Sequence, residues 1–179
     1  MQERTISPFA RPFYIMAKPA GAACNLACRY CYYLEKSRLY ADDSRHMMSD
    51  EMLERFTKEY IEAQATSDIL FTWHGGETLL RPIAFYEKAI ALQRRYGRGR
   101  NIDNAIQTSG TLIDELWARF FADNGWLVVV SIDGPEEFHD EYRRSRQGEG
   151  SFARVMRGIE ILDRYGVQWN AMAVVNNDN

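Results

Sequence analysis

Three cysteines near the start of the chain are the first residues whose types and spacing could do chemistry. Cys24, Cys28 and Cys31 have the spacing C-x3-C-x2-C and are the only cysteines in the 179 residues. An odd, tightly clustered set does not fit a disulfide framework. Zinc would take four closed ligands, and neither His46 nor His74 has the spacing of a zinc finger to complete such a site.

An iron–sulfur cluster is the better interpretation of this loop. Thiolates suit iron and sulfide, and such clusters usually take four cysteine ligands. Three thiolates on a four-iron cluster leave one iron with an open coordination position. An open iron can bind a substrate or cofactor, so the missing fourth cysteine indicates chemistry at the metal.

Polar motifs follow three hydrophobic runs farther along the chain, each where a predicted strand ends. They are Gly75-Gly76-Glu77, Gln107-Thr108-Ser109-Gly110 and Ser131-Ile132-Asp133-Gly134. The cysteine loop also follows a strand-like run. Because the carboxyl ends of parallel strands meet at one edge of a sheet, we expect all four loops to converge on one face.

The elements that must position these loops alternate between strand and helix. Predicted helices begin at Ser49, Pro82, Thr111 and Ser151, and the last three end near Gly97, Gly125 and Gly166. Such alternation predicts right-handed βαβ units, a parallel sheet and an α/β fold. The five predicted strands cover residues 13–18, 69–73, 102–108, 126–132 and 167–175.

Two of these helices carry further predictions about their caps and buried faces. In the helix over residues 111–124, Thr111 and Asp114 resemble a capping box, and the predicted apolar face holds Leu112, Leu116 and Phe120. In the helix that begins at Ser49, the predicted apolar face holds Met52, Leu53, Phe56 and Tyr60.

Composition limits the class of protein. The 22 Lys and Arg residues against 25 Asp and Glu give a net charge of −3, with 46% hydrophobic and 26% charged residues. These values fit a globular chain and exclude disordered, collagen-like and coiled-coil proteins. No run of about 20 apolar residues and no apolar signal core is present. We therefore expect a cytoplasmic protein that binds neither membrane nor nucleic acid.

The cysteine loop, with the aromatic residue Tyr30 before its last cysteine, resembles the hallmark loop of the radical S-adenosylmethionine (SAM) enzymes. The resemblance implies that Cys24, Cys28 and Cys31 hold a 4Fe-4S cluster and that SAM chelates its open iron. It also implies that Tyr30 contacts the adenine and that Gly75-Gly76-Glu77 lines the methionyl amino group. In that family an electron from the cluster cleaves the sulfonium bond to give a 5′-deoxyadenosyl radical.

A longer set of motifs over roughly residues 13–176 looks like the anaerobic sulfatase-maturating enzymes, which oxidise a sulfatase Cys or Ser to formylglycine. These motifs are Trp73-His74-Gly75-Gly76-Glu77, the run 107–112, the run 131–135, His139-Asp140 and Arg143. The resemblance implies that Ser131 and Arg143 contact SAM, and a fixed cation at Arg143 suits the methionyl carboxylate. It further implies a sulfatase polypeptide as substrate and an electron donor such as flavodoxin or ferredoxin.

The same resemblance implies a partial (β/α)6 barrel. The chain differs from the family in three places. Thr78 and Ser109 stand where the family commonly has proline and asparagine. Family members continue into a cysteine-rich region with two auxiliary clusters and a catalytic acid. We therefore expect an N-terminal extension over 1–12, an incomplete core domain over 13–179, and no auxiliary-cluster domain, which leaves the catalytic acid or base unknown.

Two alternatives stay open at this point. The chain could modify a different peptide by the same radical chemistry. It could also be a non-catalytic iron–sulfur binding remnant, since the three cysteines can hold only one such cluster.

Overall fold

The computed structural model describes residues 11–37 and 46–175. Most of the predicted N-terminal extension, residues 1–10, and the chain end at 176–179 lie outside these ranges. Within them, one parallel sheet holds five strands in chain order, which confirms the α/β fold class. The strands are β1 (Met16–Ala17), β2 (Asp68–Trp73), β3 (Asn101–Thr108), β4 (Leu127–Ser131) and β5 (Trp169–Met172).

Helices connect successive strands, so the chain folds as repeated βα units. Parallel strands joined in sequence by helical crossovers are the architecture of a (β/α) barrel, here present in part. A short 3-10 helix (Thr78–Leu80) follows β2. The α-helices are α1 (Tyr33–Ser37), α2 (Asp50–Ala63), α3 (Ile83–Gly97), α4 (Glu115–Asn124), α5 (Glu136–Tyr142) and α6 (Phe152–Arg164).

The strand register brings the four predicted loops to the same edge of the sheet. Ala17 at the end of β1 pairs with Trp73 at the end of β2. Trp73 in turn pairs with Ile106, two residues before β3 ends. At the other side of the sheet, Ser131 pairs with Met172. The cysteine loop and the three polar motifs therefore start at one common edge, as the sequence predicts.

Aromatic side chains form the centre of the core between the sheet and its helices. Trp73 is fully buried and stacks on Trp126, with ring centroids 6.4 Å apart. Its indole N–H donates to Asn104, 2.9 Å away, and Asn104 is paired with Gln93. These hydrogen bonds satisfy the polar groups that burial would otherwise leave without partners.

Helix caps differ from the predicted ones in two places. Ser49 caps α2 as predicted, by accepting from the amide of Met52. The predicted cap of α4 needs correction. This helix begins at Glu115, and its N-cap is Asp114, which accepts from Trp117 N at 2.9 Å. The predicted start at Thr111 is wrong.

Ser151 is the N-cap residue of α6, as predicted, but the capping acceptor comes from another element. Asp140 Oδ1 accepts from the amides of Ser151 and Phe152 at 2.7 and 2.8 Å, so a neighbouring helix supplies the cap of α6. The Ser151 side chain makes no cap hydrogen bond. A short stretch of sequence identifies a cap that lies next to its helix. It does not show a capping side chain that tertiary packing brings from another element.

Two predicted faces and two predicted strands also need correction. Leu116 is 66% exposed and Met52 is 50% exposed, so neither lies on the buried face of its helix. β1 has two residues instead of six, and β5 has four instead of nine. Among the described residues, no helix is long and apolar enough to cross a membrane.

Candidate functional site

A cavity of about 340 Å³ lies at the carboxyl edge of the sheet, where the loops meet. All three cysteines line it, together with five of the six residues predicted to bind SAM. Those five residues are Tyr30, Gly75, Gly76, Ser131 and Arg143. The sixth, Glu77, is not among the lining residues.

The cysteine loop is held by a segment that sequence reasoning did not identify. Leu26 forms an antiparallel bridge with Ser145, just after α5. The amide of Ala27 donates to Arg144 O at 2.8 Å, and the amide of Arg29 donates to Tyr142 O at 2.9 Å. This pairing joins residues more than one hundred positions apart, so no local pattern predicts it.

The three thiols suit a bound cationic cluster. Burial is the main cause that raises the pKa of Cys24 to about 12 and that of Cys28 to about 11. Such thiols ionise readily only when a metal compensates the thiolate charge. Across residues 11–37 and 46–175, no three His, Cys, Asp or Glu side chains converge on one point as the ligands of a single ion do.

The glycines after β2 allow close contact between two loops. The amide of Gly76 donates to Gly21 O at 2.9 Å, and the amide of Glu77 donates to Ala23 O at 2.7 Å. A Cβ atom on Gly76 would lie 2.0 Å from Ala23 O, and Gly75 has φ +126°. From the sequence we expect these glycines to let the backbone approach a ligand closely. The structure shows that their backbone also approaches the segment that leads into the cysteine loop.

Glu77 ties β2 to the end of β3 and does not reach the cavity. Its fully buried carboxylate accepts hydrogen bonds from Leu79 N, Thr108 Oγ1, Ser109 N and Ser109 Oγ, at 2.6 to 3.0 Å. All four donors belong to this chain. The carboxylate is therefore bound within the protein, and the role expected for Glu77 beside the methionyl ammonium stays a prediction.

A row of polar side chains crosses the cavity from β2 to β4. His74 Nδ1 accepts from Gly75 N at 2.7 Å. Burial and the charge of Lys18 lower the pKa of His74, while a hydrogen bond with Gln107 opposes that shift. Gln107 Nε2 donates to Ser131 Oγ at 3.3 Å. Gln107 belongs to a motif that the sequence singled out, but its link to Ser131 needs adjacent strands.

Arg143 is paired inside the protein with Asp133, a residue to which the sequence analysis gave no role. The guanidinium donates through Nε and Nη2 to the two carboxylate oxygens at 2.8 and 3.1 Å. The hydroxyl of Tyr30 and the amide of Val174 donate to the same carboxylate. Burial opposes ionisation of Asp133, but the hydrogen bonds from Arg143 and Tyr30 outweigh it and lower the pKa.

His139 forms the support behind this pair. It is fully buried, its Nδ1 accepts from Asp133 N at 3.3 Å, and its Nε2 lies 2.9 Å from Ser151 Oγ. The Ser151 hydroxyl donates to Arg143 O at 2.7 Å. His139 was part of a recognised motif, and the structure gives it a supporting position rather than a place in the cavity.

Comparisons with known proteins identify the family of this chain. The Radical SAM superfamily model matches residues 19–179. A serine-type anaerobic sulfatase-maturating enzyme from Bacteroides thetaiotaomicron is 60% identical over 179 residues, which are 100% of this chain and 43% of that protein. A cysteine-type anaerobic sulfatase-maturating enzyme from Clostridium perfringens is 38% identical over 168 residues, 93% of this chain and 45% of that protein.

A solved structure has the same fold. Native anSMEcpe with bound AdoMet and Cp18Cys peptide matches with a TM-score of 0.82 and 38% identity, over 92% of this chain and 44% of that chain. The chain thus spans less than half the length of these relatives. Because the family model covers nearly the whole chain, including the cysteine loop and every loop that lines the cavity, the chain is homologous to the anaerobic sulfatase-maturating enzymes and belongs to the radical SAM superfamily.

Proposed function

We propose that residues 13–179 form the cofactor-binding part of a radical SAM enzyme that oxidises a sulfatase side chain to formylglycine. One observation carries the proposal: the three cysteines of the C-x3-C-x2-C loop line the same cavity as Tyr30, the two glycines after β2, Ser131 and Arg143. The match to the superfamily model and the identity to sulfatase-maturating enzymes support it.

The residues present fit a 4Fe-4S cluster and SAM. Cys24, Cys28 and Cys31 would hold the cluster, since all three line one cavity and burial raises the pKa of Cys24 and Cys28, which a bound cation would offset. When bound, the cluster supplies the electron that cleaves the sulfonium of SAM and so starts radical chemistry. Arg143 would bind the methionyl carboxylate, and Tyr30 would contact the adenine.

The remaining polar residues would orient SAM and exclude water. Ser131 presents a hydroxyl whose position is set by Gln107. The backbone of Gly75 and Gly76 would contact the methionyl ammonium, since a carbonyl oxygen accepts from it. Because this cavity lies at the carboxyl ends of parallel strands, the protein holds the reacting groups on a rigid edge.

A serine side chain is the proposed target. The relative with 60% identity is a serine-type enzyme, whereas the cysteine-type relative is 38% identical. The partner would be a sulfatase polypeptide, and a flavodoxin or ferredoxin would donate the electron in the cytoplasm.

The first experiment is anaerobic reconstitution of the chain with iron and sulfide. We expect one 4Fe-4S cluster per chain by iron analysis and electron paramagnetic resonance, and formation of 5′-deoxyadenosine when SAM and a reductant are added. A Cys28→Ser variant is the control and should hold no intact cluster. An absent cluster in the unmodified chain contradicts the proposal, and a cluster without SAM cleavage favours the non-catalytic alternative.

The second experiment tests the substrate. A fusion in which this chain replaces the matching part of the Bacteroides relative is incubated with sulfatase peptides that carry Ser or Cys. We expect mass spectrometry to detect formylglycine, and we expect it to form faster from the Ser peptide than from the Cys peptide. SAM cleavage without formylglycine from either peptide would favour modification of a different peptide.

A further inference from the structure

The carboxylate of Asp133 joins four segments that meet at the cavity. Its side chain is fully buried and accepts from Arg143 after α5, from Tyr30 in the cysteine loop, and from Val174 after β5. Asp133 itself follows β4. A buried carboxylate with several charge-assisted and neutral donors is a strong fixed point, because each oxygen has more than one partner.

The geometry of the ion pair leaves one edge of Arg143 free. Asp133 takes hydrogen bonds from Nε and Nη2, which form one edge of the planar guanidinium. A guanidinium carries five N–H groups, so those of Nη1 and one of Nη2 remain. Arg143 lines the cavity, and Nη1 makes no hydrogen bond or ion pair with the residues the structure describes. The free edge can therefore bind a second carboxylate.

Tyr30 is fixed by the same carboxylate. Its hydroxyl donates to Asp133 Oδ2, the oxygen that also accepts from Arg143 Nε. The guanidinium carbon of Arg143 lies 5.4 Å from the centre of the Tyr30 ring, which packs the two side chains against each other.

We propose that Asp133 is a positioning residue of the SAM site, which turns the free edge of Arg143 towards the methionyl carboxylate and holds the Tyr30 ring against the adenine. The inference rests on the proposed function, because it assumes that the cavity binds SAM. Asp133 makes no contact with the ligand in this scheme and acts through the other two side chains.

The first test measures SAM binding to the cluster-loaded Asp133→Asn chain by calorimetry. An amide has one acceptor oxygen and one donor group, so it can replace only one of the two carboxylate oxygens, which between them accept from Arg143, Tyr30 and Val174. We expect the Kd for SAM to rise about tenfold to a hundredfold, since the loss of hydrogen bonds to charged groups has about that effect. Cluster content and the resonance spectrum without SAM should not change.

A matched control separates positioning from local destabilisation. Asp140 is a nearby carboxylate that caps α6 and does not line the cavity. Asp140→Ala removes that acceptor and should weaken folding but leave the Kd for SAM within about twofold. If free positive charge at Arg143 governed binding, Asp133→Asn would bind SAM more tightly, and that result would overturn the proposal.

A second variant keeps the proposal testable if Asp133→Asn does not fold. Arg143→Lys retains the charge but has a single ammonium, which Asp133 would occupy. We expect Arg143→Lys to lose about as much SAM affinity as Arg143→Gln. Retention of affinity by the lysine variant would contradict an oriented guanidinium.

The double variant Asp133→Asn/Arg143→Gln gives the final comparison. The part of the Asp133→Asn effect that acts through Arg143 should vanish in the double variant, so its Kd should rise by less than the product of the two single effects, whereas independent effects would multiply. A wild-type chain that builds no cluster or binds no SAM overturns the proposed function. A wild-type chain that binds SAM beside variants that bind equally well overturns only the role of Asp133.

Discussion

At the residue scale, the chemical type of a side chain does not say which partner it will meet. Glu77 and Asp133 are both carboxylates in glycine-containing loops after parallel strands. We expect Glu77 in the cofactor site, and its carboxylate accepts hydrogen bonds from Thr108 and Ser109. Asp133 instead accepts hydrogen bonds from two residues of the cavity, Arg143 and Tyr30. Loop position predicts that a residue is near the site, but only packing decides where its oxygens point.

The buried carboxylate of Glu77 gives a stability prediction. In Glu77→Gln, an amide NH2 replaces an oxygen and faces the N–H and O–H donors of Ser109 or Thr108. We expect the free energy of unfolding to fall by about 3 kcal/mol, the cost of leaving buried donors without acceptors. Urea denaturation measures it. Glu87→Gln, on the exposed face of α3, should change it by less than about 0.5 kcal/mol, and equal values for the two variants would contradict the structural role of Glu77.

The buried imidazole of His139 gives a pH prediction. Burial and the charge of Arg143 lower its pKa below the ordinary value of 6.5, so the native state binds fewer protons than the unfolded state. The stability that neutral His139 contributes is therefore full above pH 6.5 and is lost as the pH falls through the lowered value. His74 shifts in the same direction.

The measurement is the free energy of unfolding across that acidic range. His139→Gln should flatten the slope of that free energy against pH by at most about 1.4 kcal/mol per pH unit, because unfolding then no longer takes up a proton at this position. An unaltered slope in His139→Gln would show that this imidazole does not titrate in the expected sense.

At the element scale, strands and helix ends follow local patterns where the partners are local. Ser49 and Pro82 begin α2 and α3 as predicted, since each acts on its own helix. The prediction fails where another element takes over, as when Asp140 caps α6. The close contact of Gly76 with Ala23 O is another case. The sequence shows the glycine, but it does not show which carbonyl the glycine will meet.

The docking of the loop after β2 on the segment before the cysteines gives the next prediction. In Gly76→Ala, the new Cβ would lie 2.0 Å from Ala23 O, which is backbone and cannot move aside alone. We expect unfolding free energy to fall by about 3 kcal/mol or more, as overpacking against a rigid neighbour does. The reconstituted variant should also hold less cluster, because this loop supports the cysteine segment.

Gly99→Ala is the control for that substitution. Among the residues that the structure describes, no atom beyond the chain neighbours lies within 4 Å of a Cβ at Gly99, so the strain of φ +83° is what remains. We expect a loss of about 1 kcal/mol and full cluster content. A Gly76→Ala chain as stable as Gly99→Ala would show that the two loops do not pack as described.

At the scale of the whole molecule, the parallel sheet is the rigid part and the cavity loops are the part that ligands can stabilise. Val128, Val130 and Ile106 are fully buried in adjacent strands. The cysteine loop instead depends on a few backbone hydrogen bonds to residues 142–145. Contacts that are few and close to a surface open at lower free energy than core strands.

Cluster binding should therefore stabilise one region more than the rest. We expect amide hydrogen exchange on anaerobic cluster loading to slow at residues 24–31 and 142–145, while the centre of β3 changes little. Removal of the cluster by a chelator should reverse the effect. Cys28→Ser should show no such protection, and a uniform change over the whole chain would contradict this division.

The sequence by itself determined the order of the elements, the fold class and the identity of the cysteine loop. Hydrophobic runs, local caps and the spacing of Cys24, Cys28 and Cys31 are properties of neighbouring residues, so each can be inferred without the rest of the chain. Parallel pairing also places the carboxyl ends of the strands at one edge, which was enough to predict that the cysteines, Ser131 and the glycine loop come together.

Only the tertiary structure decided which side chains face the cavity and which support it. Asp133 meets Tyr30 and Arg143 across separate segments, and Glu77 turns to Thr108 and Ser109 on the next strand. Each carboxylate must find hydrogen-bond donors once it leaves water, and the nearest donors come from residues distant in sequence. The physical reason is that burial makes these partners obligatory, while chain folding alone decides which of them are close.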